Sequence, residues 1–489
     1  MGKKKNKNKV SGAVKTAQKT EKKLAQKLKK ELADLGEEDI AKVLAEIERD
    51  EAKRSAAVEK LLPGPPSPRA YATLIPHPIN NELIMFGGEY HDGQKTQVYN
   101  DLYFYNPVNN TWRQVKAPGA PPPRNAHQAV ATPANKGELW IFGGEYTSPS
   151  ESQFHHFKDL WCFSLSEKKW EKVSVPGGPS PRSGHRTVLL GRQLISFGGY
   201  TDEGRDCRYH DDLYSFCLDT RKWTKLETTG KGPAARSACL CMPVNNDSLL
   251  IYGGFSRIRD GRTERGVTHG DMFRLTQKEG RWGWKPVGVG SAPTPRASLA
   301  AGVNLQANKA YVFGGVADIE ETEDDVRGEM GVNLQMLELE TGRWHNVTLR
   351  DSTLTTVESK PEPKPDKQKE EVTVVTDDVF TMRLGAPSAP PVGTPTPHSP
   401  PRETCGPTPR MSAMMTVHRS VLYIYGGVLE KDDKQFYLSD MYSLDLHKLN
   451  EWKTLIEQPK LPEWLGTDSE YETDSETQSG SDDSGSDSE

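Results

Sequence analysis

Any chemistry in this chain would fall to a small set of side chains. His155, His156, His210 and His269 each stand shortly ahead of a short acidic motif, and imidazoles grouped in loops are common metal ligands. They come from three separate stretches of sequence, so one ion would collect them only through a specific fold-back, and no metal site is expected. His127 and His185 follow a Pro-Arg by three residues at the start of apolar runs, which suits buried hydrogen-bonding residues. No Gly-x-Ser-x-Gly, phosphate-cradling glycine loop or His-Glu-x-x-His is present, so no enzyme activity and no cofactor are expected. The six cysteines lack zinc-ligand spacing; Cys239 and Cys241, on one strand face, and Cys162 and Cys217 read as small packing residues.

Binding, unlike catalysis, has candidates. Arg257, Arg259, Arg262 and Arg265 make one basic segment, and Asp318, Glu320, Glu321, Glu323, Asp324 and Asp325 make an acidic one. If the two are neighbours they form a bipolar docking surface, or they simply neutralise each other in solvent. Residues 467–489 hold nine acids and no Lys or Arg, the composition of a disordered acidic tail. Within it Thr467, Ser469, Thr473, Ser484 and Ser486 each have an acid three residues on, the pattern acidophilic kinases prefer. Residues 1–30 hold twelve Lys and one Glu, suited to nuclear import or polyanion contact, nucleic acid included.

What must position these residues is a repeat. Six arginines (Arg69, Arg124, Arg182, Arg236, Arg296, Arg410) are each followed after 16–19 residues by a Gly-Gly, at Gly87, Gly143, Gly198, Gly253, Gly314 and Gly426. An Asp-Leu-Tyr-like triplet follows, starting at Asp101, Asp159, Asp212, Asp271, Asn333 and Asp440, and 11–13 residues later comes Trp112, Trp170, Trp223, Trp284, Trp344 or Trp452. The runs before Gly-Gly, such as Leu83-Ile84-Met85-Phe86, read as buried strands, and the glycines permit positive φ and close approach to a neighbour. The triplet segments alternate, laying one face against each adjacent unit, and Trp supplies buried area with an N–H that needs a partner.

A repeat of this length and content resembles kelch, the four-stranded blade of a β-propeller. The expectation is an all-β, six-bladed propeller over residues 63–456, with blades near 67–115, 122–173, 180–226, 234–287, 294–347 and 408–455. The variable intervals, Gly-Gly to triplet and Trp to Arg, both fall on one face of such a disc, where partners would bind. Residues 1–62 read as a Lys-rich, partly helical arm: Leu24, Leu28, Leu32, Leu35, then Ile40, Val43, Leu44 and Ile47 mark a thin apolar stripe reaching to roughly Lys60. The stripe needs a surface, its own propeller or a partner. Residues 348–407 read as a mostly disordered insertion with a hairpin around Thr376-Asp377-Asp378, and 457–489 as the acidic tail.

Several stretches further resemble the group of kelch domain-containing protein 4 and its fungal relatives: Met1-Gly2-Lys3-Lys4-Lys5, Met85-Phe86-Gly87-Gly88-Glu89-Tyr90, Phe142-Gly143-Gly144-Glu145, Arg182-Ser183-Gly184-His185-Arg186 and the Asp/Ser/Glu tail. The resemblance implies an intracellular propeller and offers no active-site residues; Asn333-Leu334-Gln335 departs from the pattern. With no signal peptide or membrane-spanning run in the sequence, and a myristoylation motif that fails at Asn6, the expected setting is cytoplasm or nucleus, nucleolus included. The expected role is a monomeric, non-enzymatic adaptor for protein partners; the alternatives are a substrate receptor of a cullin-type ubiquitin ligase and an acidic escort for basic nuclear or ribosomal proteins.

Overall fold

The computed structural model describes residues 38–202, 207–260, 263–322, 325–350, 374–377, 380–383, 406–431, 434–461 and 465; for 260, 263–264, 318–322, 325–327, 374–377 and 380–383 it describes the backbone alone. Six sheets stand around a central channel, antiparallel except for the short outer strand Thr228–Thr229, which runs parallel to Arg281–Val287 on blade four. Their innermost strands, Thr73–Pro76, Gln128–Thr132, Arg186–Leu190, Leu240–Asn245, Ala297–Asn304 and Met414–His418, neighbour one another in a closed cycle, the last beside the first. Each blade is built from one repeat, first strand to fourth, so no blade borrows a strand across the chain ends.

The alternation of the third strand explains how blades stack. In Leu102–Asn106, Leu102 and Phe104 pack with Leu139, Ile141 and Trp170 of blade two, while Tyr103 and Tyr105 pack with Tyr423, Tyr425 and Met441 of blade six. Five of the six repeat tryptophans then reach the aromatic residue that precedes the Gly-Gly of the preceding blade, while Trp452 packs against Tyr442 of its own blade. Phe86–Trp170, Phe142–Trp223, Phe197–Trp284 and Tyr252–Trp344 have ring centroids 4.8–5.8 Å apart, and Tyr425–Trp112 at 5.7 Å repeats this across the closure. The expected partner for each indole N–H is not universal: Nε1 of Trp112 and of Trp344 finds no acceptor, and both indoles pack against aromatic rings.

Two concentric rings of backbone hydrogen bonds join the blades. The second Gly of each pair donates to the carbonyl of the next blade's Arg at 2.9–3.3 Å, from Gly88 to Arg124 through Gly315 to Arg410, and Gly427 to Arg69 closes the circle. Nearer the axis, the residue two past each Arg sits at φ 47–61° (Tyr71, Ala126, Gly184, Ala238, Ser298, Ser412) and donates to its counterpart in the preceding blade at 2.8–3.4 Å. The first Gly of the pair has to be Gly. At Gly143, φ +63°, a Cβ would stand 2.9 Å from the Arg182 carbonyl, and at Gly87 2.6 Å from that of Arg124.

Two outer details differ from the sequence expectation. The helix is Ile40–Ala52, capped by Asp39, and it stops short of Lys60; Val58–Leu61 instead forms a fifth strand on blade one, antiparallel to Thr111–Lys116. The open edge of that blade offers unpaired backbone groups, and the chain beyond the turn at Lys53 and the bend at Ala56 takes them up from the β-branched Val58 onward. The helix docks on its own propeller. Leu44 is buried, Glu48 meets Lys172 Nζ at 2.7 Å, and the Gly119 N–H donates to the Glu51 carbonyl. Leu24, Leu28, Leu32 and Leu35 lie outside the described residues. In the insertion, Val374–Asp377 pairs with Phe380–Arg383, so Thr376 and Asp377, expected in the turn, belong to the first strand. Among the described residues no helix is long and apolar enough to cross a membrane.

Candidate partner-binding face

The repeat arginines are structural. Arg69, Arg124, Arg182, Arg236 and Arg410 are fully buried, and each donates through Nη1 to the carbonyl of the first Gly of its own blade's pair at 3.0–3.1 Å. Each also meets its triplet acid. Arg124–Asp159, Arg182–Asp212, Arg236–Asp271 and Arg410–Asp440 lie at 2.5–2.7 Å, and Arg69–Asp101 at 3.7 Å. Burial would raise the carboxyls of Asp159, Asp212 and Asp271, but the paired guanidinium outweighs it and holds them below their ordinary range. Blade five lacks this arrangement. With Asn333 at the triplet, Arg296 turns to Glu329 at 3.5 Å, and its Nε has no partner.

Between the Gly-Gly and the triplet, every blade sends a two-stranded hairpin out from the same face. These are Glu89–His91 with Thr96–Val98, Glu145–Thr147 with Phe154–His156, Tyr200–Asp202 with Cys207–Tyr209, Phe255–Asp260 with Thr263–Thr268, the end of Lys309–Thr322 with Asp325–Met330, and the paired ends of Val421–Lys431 and Lys434–Asp445. The described residues between Gly-Gly and triplet thus form a crown of hairpins. Arg257 and Arg259 lie on one strand of the blade-four hairpin and Arg265 on the other, all exposed, with Arg265 opposite Ile258. Asp318, Glu320, Glu321 and Asp325 lie on the backbone of the blade-five hairpin, where Asp318 is opposite Gly328 and Glu320 opposite Val326. Arg262, Glu323, Asp324 and the tail residues Thr467, Ser469, Thr473, Ser484 and Ser486 lie outside the described residues.

The crown surrounds a cavity of about 720 Å³ at the mouth of the channel. Its character is set by the residue immediately after each Gly-Gly: Glu89, Glu145 and Tyr200 on blades one to three, Phe255, Val316 and Val428 on blades four to six. All but Val428 line the cavity, and Val428 is buried beside Tyr437. Glu89 accepts from Asn125 Nδ2 at 2.6 Å and from the Tyr437 hydroxyl at 3.1 Å. Glu145 accepts from Ser183 Oγ at 2.8 Å and the Tyr200 hydroxyl at 3.1 Å, with His156 Nδ1 at 3.4 Å. Burial, and then the charge of Glu145, push the Glu89 carboxyl up to about 8; burial likewise raises Glu145 and lowers His156 to about 4, so His156 is neutral near pH 7. Among the described ion pairs no Lys or Arg meets either glutamate.

Sequence reasoning had Glu89 and Glu145 in view as parts of a resemblance and missed them as a site. The available signal was an acid directly after Gly-Gly in only two of the six copies. The histidines have local duties: His210 Nε2 bonds Thr201 Oγ1 at 3.0 Å, His269 Nε2 bonds Ser256 Oγ at 2.8 Å, and His127 Nε2 bonds Thr73 Oγ1 at 3.1 Å. Burial lowers His127 to about 3 and holds His185, whose ring nitrogens have no partner, well below its ordinary value. No group of three metal-ligating side chains occurs among the described residues. Cys162 and Cys239 are buried free thiols.

A ring of six such sheets with a crowned channel defines a β-propeller. The KLHDC2/KLHL20/DRC7 Kelch-repeats domain matches residues 72–315 and 184–380, so this chain belongs to the kelch-repeat family. It is 30% identical over 299 residues to host cell factor of Drosophila melanogaster, covering 55% of this chain and 18% of that one. Human host cell factor 1 is 28% identical over 298 residues (56% and 14%), and the flagellar outer-arm dynein alpha chain of Chlamydomonas reinhardtii is 28% identical over 191 (36% and 4%). The chain therefore spans under a fifth of the length of these relatives. A solved structure described as "Structure of YjhT" shares the fold at a TM-score of 0.50 and 15% identity, covering 80% of this chain and 99% of that one.

Proposed function

We propose that this protein is a non-enzymatic adaptor of the nucleus and cytoplasm, akin to the kelch domain-containing protein 4 group, that holds a basic protein on its crowned face. The observation that carries this is the mouth, where two carboxyl side chains that meet no Lys or Arg among the described ion pairs face Phe255 and Val316 across the cavity. A lysine or arginine fits such a site, its methylenes on the apolar wall and its charge on the acids. The acidic segment from Asp318 to Asp325 and the nine carboxylates of residues 467–489 add long-range attraction for the same partner, which acidophilic phosphorylation of the tail would strengthen. Arg257, Arg259, Arg262 and Arg265 supply the opposite pole and orient the partner.

The test is binding of purified core histones and of an acidic control protein to the full chain and to a chain lacking residues 467–489. Histone binding should exceed control binding at least tenfold, fall as salt rises from 50 to 500 mM, and weaken without the tail, since exposed charges are screened within roughly 8–10 Å at physiological ionic strength. Equal binding of both proteins under every condition overturns the proposal. Stable co-purification of a cullin or elongin subunit from cells would replace it with the ligase-receptor reading.

A further inference from the structure

Both ends of the described chain converge on the same part of the crown. At the amino end, the Glu38 carbonyl accepts from Gln153 Nε2 at 3.0 Å, and the Ile40 N–H donates to Gln153 Oε1 at 3.1 Å. Gln153 precedes the hairpin strand Phe154–His156, in which His156 is paired with Glu145. Three strand residues at roughly 3.3 Å each separate that anchor from the level of Glu145, about 10 Å. At the other end, the Leu465 N–H donates to the Asp92 carbonyl at 3.2 Å and its carbonyl accepts from Gln94 Nε2 at 2.6 Å, at the tip of the neighbouring blade-one hairpin. The two hairpins are tied together: the Thr96 N–H donates to the Pro149 carbonyl at 2.9 Å and Thr96 Oγ1 to Glu151 at 2.5 Å.

We infer that the mouth between Glu89 and Glu145 is the seat of a lysine side chain, and that in the unpartnered protein this lysine comes from the chain's own residues 1–30. Residues 1–30 contain twelve lysines, and the one closest to the anchor, Lys30, is eight residues before Glu38. Eight residues cover about 12 Å as helix and about 26 Å extended, so either conformation bridges the gap. The charge match is specific to this side of the mouth. Glu89 and Glu145 face Tyr71, Tyr200, Tyr437, Asn125, Ser183, the neutral His156, Glu151 and Asp202; the cations lining the cavity, Arg186 and Arg257, belong to blades three and four. Arg186 is committed to the Cys239 and His185 carbonyls. Burial raises both carboxyls, Glu89 to about 8, so an ammonium group seated at Glu89 takes the place of the proton that carboxyl holds. The arm then acts as an internal competitor for the basic partner proposed above. This inference rests on that reading.

Zero-length carbodiimide crosslinking of the full chain at low concentration, mapped by mass spectrometry, tests it. Crosslinks from Lys3–Lys30 to Glu89 or Glu145 are expected, and they persist when residues 466–489 are removed. In parallel, trypsin should cleave the arm several-fold faster in the full-length Glu89→Gln/Glu145→Gln variant than in wild type, with thermal unfolding showing that the variant stays folded. Arm crosslinks confined to the acids of 468–489, or identical cleavage rates, overturn the inference. If histones bind the full chain while no arm crosslink reaches Glu89 or Glu145, the arm is not the occupant and the adaptor reading stands. If histones do not bind and the crosslinks do form, the adaptor reading fails and the cavity assignment survives.

Discussion

Two rings of this propeller use the same six repeats to opposite ends. In one, the buried arginine, the carbonyl of the first Gly and the triplet acid recur almost unchanged, with only blade five lacking the acid. In the other, one residue past the Gly-Gly, the copies diverge into acids, a tyrosine and apolar residues around a single cavity. The first ring fixes blade geometry and tolerates little change, because a buried guanidinium without its partners is costly. The second is held in place by the first and is free to vary, so the ligand chemistry of the protein collects there.

The strongest way to break this contrast is to attack the most buried pair. Asp440 is 2% exposed and bidentate with Arg410, so Asp440→Asn should destabilise the fold by about 3–5 kcal/mol in urea unfolding, whereas Glu145→Gln should cost under about 1 kcal/mol. Equal losses would show that the two rings are not energetically distinct. Gly143→Ala comes next: a positive φ and a Cβ 2.9 Å from the Arg182 carbonyl predict a loss of about 1–3 kcal/mol, read by the same urea unfolding. Asn333→Asp sharpens the comparison in the other direction. It returns to Arg296 the carboxylate that the other five blades possess and should stabilise by about 1 kcal/mol.

The smallest effect is one of pH. The Glu89 carboxyl is raised to about 8 by burial, by the neighbouring Glu145 and by Glu151, partly relieved by the Tyr437 hydroxyl, so the folded protein holds a proton that the unfolded chain releases near its ordinary value. Its contribution is therefore complete below the ordinary carboxyl range and is lost as pH rises toward 8. Thermal melts at pH 5 and pH 8 should show wild type losing a few degrees more than Glu89→Gln over that interval. Identical shifts would place the proton elsewhere.

How far the sequence could be read follows from which forces are local. Strand runs, paired glycines and the alternating triplet carry their structural reason within a few residues, and the blade count follows from them. Val58–Leu61 was legible only as the tail of a helical stripe, since its strand depends on the free edge of Thr111–Lys116, more than fifty positions away. The helix stripe likewise gave no hint of whether Leu44 would meet this propeller or another surface. Glu89 and Glu145 are 56 positions apart in sequence and become a pair only when blades one and two are placed side by side. Arg257 and the Asp318 segment were visible as charge but not as hairpin strands, because their pairing depends on register across the hairpin rather than on composition.

The bond from Gly427 to Arg69 is of the same kind as the five that join the other blades. The chain has a first and a last residue, but the ring it makes has no seam, for blade six meets blade one as any blade meets the next. The Tyr425 hydroxyl already reaches the Pro66 carbonyl, and Asn110 Nδ2 the carbonyl of Leu455. Where synthesis starts is thus a matter of genetics more than of architecture: a gene rearranged to begin at blade three and run through a short bridge from blade six to blade one would encode the same disc.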